Sequence, residues 1–407
     1  MLSASEPIIK RSLIDGEEEE KIISVEFTVP EYNRDGTFKL AKYSYQAEED
    51  FDNPKIDKGW KIFRNDEKML SVEDGYVIVT GKYCGICSTD LARRFLPFPL
   101  PQIIGHEAVA IHKSKPVVIE INASHYARGI HKKLNPPCSF CQHGFAPYIL
   151  APKNALIPIP ENLSLKVASL AEPFAAALHA VETTPPINGQ EVAVLGPRKL
   201  GMLIIAALNG FLQSIKITKK ILHLKSTHGQ NVCGLNRMTD FVVEELNVNN
   251  SINDILEWID QLNKGQVLDQ NLKNSPVPRF DLVVIGNLKE IDSVIRPKEG
   301  MDLSILRSRG AILYAPSEPP PSYNDNNEIQ LLSKALIDDD IQIWSTRCGN
   351  LKNSLKGLSK NLEITNILEK NMITKEITLE NLDEGFDLAM SGDHIKILVD
   401  VEAKNTI

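Results

Sequence analysis

VAVLGPRKLGMLIIAAL, Val192 to Leu208, decides the fold. An apolar run beginning at Glu191 ends in a glycine-containing turn, and an apolar helical stretch follows from about Lys199 to Asn209. That is a β-turn-α unit. Downstream, strand-like segments at Ser214–Lys219, Ile221–Leu224, Phe280–Ile285, Ala311–Tyr314 and Ile341–Ser345 are accompanied by helical patterns near Asp254–Leu262 and Ile329–Leu336. Strands separated by helices imply a mostly parallel sheet covered on both faces.

Upstream the pattern changes class. From Ile22 to about Ile159 short β-type runs, among them Gly75–Thr80, Val117–Ile121 and Tyr148–Ala151, are broken by Pro, Gly and Asp, which predicts an irregular β domain. Helical character starts at Leu165 in VASLAEPFAAALHAVE, where Pro173 sits in the first turn of the expected helix. Beyond the parallel sheet, a helix at Leu379–Ser391 and a strand at Ile395–Val401 give a last segment long enough to return to the first domain. The expected division is therefore 1–185, 186–347 and a returning segment 348–407. Pro319–Asn327 reads as an exposed loop and Glu17–Glu20 as a solvated segment.

Composition sets limits. With 407 residues, two domains with separate cores are expected. A net charge of −8 supplies no generally basic surface for phosphates, so nucleic acid is not the expected partner. The longest nearly apolar stretch, Leu200 to Leu212, is interrupted by Asn209 and Gly210 and falls short of the roughly 20 residues a bilayer requires, so no membrane partner is expected either. MLSASEPIIKRS lacks a basic start followed by an apolar core, which reads as a cytoplasmic protein. Six cysteines, including two Cys-x-x-Cys pairs, then point to metal, redox chemistry or burial before disulfides.

The chemistry concentrates in three segments in one order: GKYCGICSTD (Gly81–Asp90), PLPQIIGHEAVA (Pro99–Ala110) and LAEPFAAALHA (Leu170–Ala180). Zinc takes thiolate, imidazole and carboxylate ligands, and a catalytic site keeps one position open. Cys87, His106, Glu107 and Glu172 supply that set. Taken singly, each has an ordinary structural explanation: a buried thiol, a satisfied core histidine, surface or helix-start carboxylates.

Together these segments resemble the catalytic-zinc motifs of the medium-chain, zinc-dependent alcohol dehydrogenases, most nearly the branch containing polyol, threonine and glucose dehydrogenases, over about residues 70 to 400. The resemblance implies an α/β chain: a GroES-like irregular β-barrel domain joined to a Rossmann-type doubly wound parallel sheet. It makes Cys87 and His106 direct ligands, Glu107 a ligand or displaceable near-ligand, and Glu172 a ligand or the holder of the site's water. Thr89 falls where the family places a proton-relaying hydroxyl, so Thr89, Glu107 and Glu172 are the candidate catalytic residues. The histidine commonly found three residues beyond that hydroxyl is Ala92 here, which leaves water, His112 or the cofactor ribose for proton release. Cys84 reads as core. The family's four-cysteine structural lobe is reduced to Cys138 and Cys141, expected as free thiols, although a two-cysteine site could recruit His131 or His143.

The resemblance also places a dinucleotide fingerprint at Gly196–Gly201. In G-x-G-x-x-G the first glycine makes the turn, the second admits the pyrophosphate and the third allows close helix packing. Gly196 and Gly201 hold the first and third places, but Arg198 takes the second, where it either crowds a diphosphate or binds it through its guanidinium. The acidic residue expected about 20 positions on, to hold a ribose hydroxyl, is missing, and Lys219 and Lys220 lie near that place. Basic residues there suit a 2′-phosphate, so NADP is expected in preference to NAD. Gly196, Arg198, Leu200, Gly201, Lys219, Lys220 and Arg347 are the candidate cofactor contacts. The function expected is zinc-dependent hydride transfer between a small alcohol or carbonyl substrate and a nicotinamide cofactor, in a chain compatible with a homo-oligomer. The alternative is a non-catalytic relative that keeps fold and zinc but has lost the cofactor and acts as a binding or regulatory protein.

Overall fold

The structure is a computed structural model and describes residues 2–14, 17–49, 57–92, 99–120, 143–183, 192–195, 200–204, 206–208, 221–224, 280–285, 290–295, 306–315, 336–337, 340–345, 349–391 and 393–402. Two compact units divide the chain, Met1–Glu172 with Asn350–Ile407, and Pro173–Gly349. The first division falls at the start of helix Ala171–Thr183, where a boundary after 185 would fall beyond its end.

The first unit carries two sheets. One is antiparallel, in the order Ser3–Ala4, Glu17–Tyr32, Phe38–Glu49, Asp57–Arg64, Glu67–Val72, with Ile8–Ile14 also pairing with Glu17–Tyr32. Residues 17–20, expected as a solvated segment, begin that long strand, and Arg11 Nε donates to Glu20 Oε1 at 2.8 Å across an exposed pair of strands. Further along, Val25, Phe27 and Val29 alternate with Glu26 and Thr28, and the apolar set is buried, as a period of two requires of a sheet with one covered face.

The second sheet runs Leu156–Pro158, Lys115–Ile119, Glu107–His112, Tyr76–Gly85, Lys396–Asp400, Ile373–Thr378, with Tyr148–Pro152 also on Tyr76–Gly85. The strand Lys396–Asp400 thus lies inside this sheet, between Tyr76–Gly85 and Ile373–Thr378. One core joins the two sheets: Phe27 meets Tyr148 at 5.8 Å between ring centroids, Trp60 Nε1 donates to the Tyr76 carbonyl, and Phe386 of helix Leu382–Ser391 packs edge-on against Phe38. The half-buried Arg64 pairs with the buried Glu31, whose Oε2 also accepts from Tyr43 at 3.0 Å.

The second unit holds a five-stranded, wholly parallel sheet, ordered Ile221–Leu224, Val192–Leu195, Phe280–Ile285, Leu306–Tyr314, Gln342–Ser345. In the strand Phe280–Ile285, Leu282 to Ile285 are all buried, as expected of a parallel-sheet strand covered on both faces. Strand order reverses at Val192–Leu195, so the carboxyl end of that strand is the topological switch point where ligands bind in open α/β sheets. Backbone at 200–204 and 206–208 is helical, which places Leu200 and Gly201 at the start of the helix expected there. The expected strand Ser214–Lys219, the helix Asp254–Leu262, nearly all of Ile329–Leu336 and the loop Pro319–Asn327 lie outside the described residues. Among the described residues no helix is long and apolar enough to cross a membrane.

Candidate metal centre

Strand register gathers the site. Gly85 pairs with Glu107 and Cys84 with Ala108, so Cys87, two residues beyond one strand, and His106, one residue before the other, emerge at the same end of the sheet. Leu398 pairs with Gly85 on the other side, and Lys396, at the start of its strand, comes to that same end. Three segments distant in the chain therefore meet by pairing alone.

Glycine makes the approach possible. Gly105 has φ +104, a left-handed conformation disfavoured for residues with a Cβ, and a Cβ there would press on Phe145 and on Cys84 Sγ. At Gly85 a Cβ would stand 2.1 Å from Glu107 Oε2. The glycines beside Cys84 and before His106 are thus the local reason that the chain can turn the imidazole and the carboxylate into the site.

Cys87, His106 and Glu107 each offer one ligand atom, and these lie within 4.8 Å of one another. Among the described residues this is the metal-type group that forms, and Glu172 is not part of it. Glu172 stands in the first turn of helix Ala171–Thr183, near enough for its charge to act on Lys396. Thr89 Oγ1 is 3.1 Å from His106 Nε2. The other imidazole nitrogen, Nδ1, is 3.1 Å from Asp90 Oδ1, and Asp90 Oδ2 accepts the Cys87 backbone N–H at 2.9 Å. Burial pulls the His106 imidazole down, but the charges of Asp90 and Cys87 and their hydrogen bonds outweigh it and hold the ring well above its ordinary value.

Two residues of the centre were not singled out from the sequence. Asp90 lies inside the quoted motif, three residues after Cys87, and its acid-at-N3 spacing in the helix Ser88–Leu91 is the signal that marks it. Lys396 carries no such mark. Its Nζ lies 2.6 Å from both Glu107 oxygens and donates to the Ile86 carbonyl at 3.2 Å, while its side chain is 1% exposed and that of Glu107 0%. Burial lowers the Lys396 ammonium, yet Glu107, Cys87 and Glu172 together raise it above its ordinary value.

The remaining expectations are placed as follows. Cys84 is a fully buried thiol, packed against Gly105 and Gly144, and burial together with the nearby Asp90 and Glu107 pushes it well above its ordinary value. His112 ends the strand Glu107–His112 at the hairpin, about 16 Å of extended chain from Glu107. His143 is buried and held neutral, with burial pushing it down to about 3. Gly196, Arg198, Lys219, Lys220, Arg347, His131, Cys138 and Cys141 lie outside the described residues.

No protein-family model matches the chain. A sorbitol dehydrogenase of Halalkalibacterium halodurans is 22% identical over 349 residues, covering 78% of this chain and 89% of that protein. An (R,R)-butanediol dehydrogenase of Saccharomyces cerevisiae is 28% identical over 204 residues, which span 38% of this chain and 53% of the yeast protein. Among solved structures, L-idonate 5-dehydrogenase of Escherichia coli superposes with a TM-score of 0.59 at 15% identity, covering 93% of this chain and 99% of that one. The chain has the two-domain α/β fold of the medium-chain dehydrogenases, a GroES-like unit and a Rossmann-type unit. In sequence it is similar to their zinc-type alcohol and polyol dehydrogenases.

Proposed function

We propose that this chain is a zinc-dependent oxidoreductase that moves a hydride between a small alcohol or carbonyl substrate and a nicotinamide cofactor, NADP in preference to NAD. The observation that carries the reading is the convergence of Cys87, His106 and Glu107 within 4.8 Å, with Asp90 on one imidazole nitrogen and the Thr89 hydroxyl beside the other. Thiolate, imidazole and carboxylate are the donor types zinc takes, so the residues fit the ion. Cys87 Sγ and His106 Nε2 would hold it, with Glu172 and Glu107 as the carboxylates in reach of the site. When bound, zinc supplies Lewis acidity toward a substrate oxygen.

The chain's own groups prepare the rest. Asp90 accepts from His106 Nδ1–H, which fixes the tautomer that leaves the Nε2 lone pair free for a metal. With Nε2 so engaged, the Thr89 hydroxyl would be released from its 3.1 Å partner and could accept the substrate proton at Oγ1 as it gives up its own. Thr89 is partly exposed and Ala92 has no titratable group, so the proton that Thr89 gives up would go to water or to the cofactor ribose. The switch point at the end of Val192–Leu195 supports dinucleotide binding at Gly196–Gly201, and Lys219 and Lys220 support the 2′-phosphate preference. The names of the similar proteins, sorbitol and butanediol dehydrogenases, favour a polyol-type substrate.

Elemental analysis of protein purified without added metal, alongside polyol-dependent reduction of NADP and NAD, tests the reading. We expect one zinc per chain and faster turnover with NADP. Zinc far below one per chain, with neither dinucleotide reduced across a polyol panel, would refute it.

A further inference from the structure

Helix Leu351–Lys360 belongs to the segment that returns to the first unit, and its start is fixed there. Asn350 caps it, accepting the Asn353 backbone N–H at 2.9 Å, while Glu120 Oε2 accepts the Leu351 N–H at 3.0 Å. One turn in stands Ser354, fully buried. A serine inside a helix ordinarily turns its hydroxyl to solvent or to a carbonyl one turn back. Ser354 Oγ instead donates out of its own helix to the Ala171 carbonyl at 2.6 Å, across 183 positions of sequence. Ala171 opens the helix Ala171–Thr183, and the next residue is Glu172.

The chain leading to Glu172 is held from the same returning segment. Asn162 Nδ2 donates to the Ser359 carbonyl at 3.0 Å, Ser164 Oγ to Glu369 Oε2 at 2.8 Å, and Lys166 Nζ to Glu376 Oε1 at 2.7 Å. Those three contacts are exposed, and exposed polar pairs hold weakly. The Ser354 contact is buried and lies one residue from Glu172. Glu172 stands close enough for its charge to act on Lys396, whose Nζ is 2.6 Å from Glu107. A side chain at the second residue of a helix goes where the first turn goes, and a metal ligand tolerates only about 0.5 Å of displacement. We infer, resting on the zinc reading above, that Ser354 is a positioning residue of the metal centre: through the Ala171 carbonyl it fixes the helix start that presents the Glu172 carboxylate to the ion.

Chelator competition for zinc on the full-length chain tests this without recourse to activity. Ser354→Ala removes one oxygen, and the Ala171 carbonyl keeps the N–H one turn on in its own helix, so no buried group is stranded and the fold should stand. Its zinc affinity should fall about tenfold, the scale on which the partners of metal ligands act. Glu172→Gln should itself weaken zinc binding. In that background Ser354→Ala should change affinity by less than about twofold, because the group it positions has gone. Equal falls in the two backgrounds would overturn the inference, since a serine that only braces the unit acts whether or not the carboxylate is present. Unchanged affinity in Ser354→Ala would overturn it too, as would unchanged affinity in Glu172→Gln, which leaves Ser354 nothing to position. A wild-type chain that binds no zinc would instead refute the zinc reading on which the inference rests.

Discussion

Asp90 Oδ1 stands 3.1 Å from His106 Nδ1 while its second oxygen accepts the Cys87 backbone N–H at 2.9 Å, so one carboxylate orients both the imidazole and the thiol-bearing turn. Asp90→Asn keeps the size but offers an N–H where Nδ1 needs an acceptor, which favours the wrong tautomer. We expect zinc affinity to fall by about 10- to 100-fold, the usual cost of losing such a partner. Chelator competition measures it. An unchanged affinity would mean that the imidazole is held by something other than Asp90.

The contact between Gly85 and Glu107 makes a second prediction. A methyl group at Gly85 would stand 2.1 Å from Glu107 Oε2 and 3.3 Å from the Lys396 side chain. A carboxylate normally yields to such a clash, but this one is pinned by a buried ammonium. Gly85→Ala should therefore cost about 1–3 kcal/mol, as overpacking of a tight site does. In a Glu107→Ala/Lys396→Met background the same substitution should cost much less, because the obstructing atoms are gone. Equal losses of unfolding free energy in both backgrounds would locate the strain elsewhere.

How much of this was legible beforehand depends on where each signal lies. Cys87, His106 and Glu107 were legible only through the resemblance of their three motifs to those of the zinc-dependent alcohol dehydrogenases, which also put Glu172 in a set the metal-type group does not include, and strands such as Phe280–Ile285 were legible because apolar runs leave few alternatives. Lys396 was not readable: in IKILVD a lysine looks like any polar residue at a strand end, and its partner lies 289 positions away. Register between strands creates that contact, and register is a property of the folded sheet. The sheet before Ile22 escaped for a related reason. Ile8–Ile14 and residues 17–20 show no clear apolar alternation, and they form strands because each pairs with the other.

His143 predicts an acid-labile step. Burial pushes its imidazole down to about 3 from an ordinary 6.5, so the folded chain keeps the ring neutral where the unfolded chain would protonate it. Its contribution to stability is whole above pH 6.5 and drains as pH falls toward 3, with a slope of at most about 1.4 kcal/mol per pH unit. His143→Leu should remove that slope and leave the remaining acid sensitivity in place. Denaturant unfolding of both proteins across the window checks it, and parallel curves would show that the ring is not buried in solution.

The last prediction concerns the dinucleotide. GPRKLG, Gly196 to Gly201, follows the strand at the switch point of the parallel sheet and leads into the helix that begins by Leu200. A helix start offers unpaired N–H groups and the positive end of its dipole to an anion, so a diphosphate is favoured there whatever the side chains. Arg198 then decides the magnitude, because its charge attracts the diphosphate while its bulk occupies the place where a glycine would admit it. Where charge prevails, Arg198→Gly weakens NADPH binding by about 1–3 kcal/mol, the range for a charged hydrogen bond. Where bulk prevails, the same substitution strengthens binding. Lys219 and Lys220 set the preference, and changing both to Ala should narrow the gap between NADPH and NADH, with Asp tilting it toward NADH. Calorimetric titration of the variants with both dinucleotides reads all of these. Equal affinity of the wild-type chain for NADH and NADPH would show that neither lysine faces the 2′-position. Absence of binding in both wild type and Arg198→Gly would leave a zinc protein without hydride chemistry, the non-catalytic alternative.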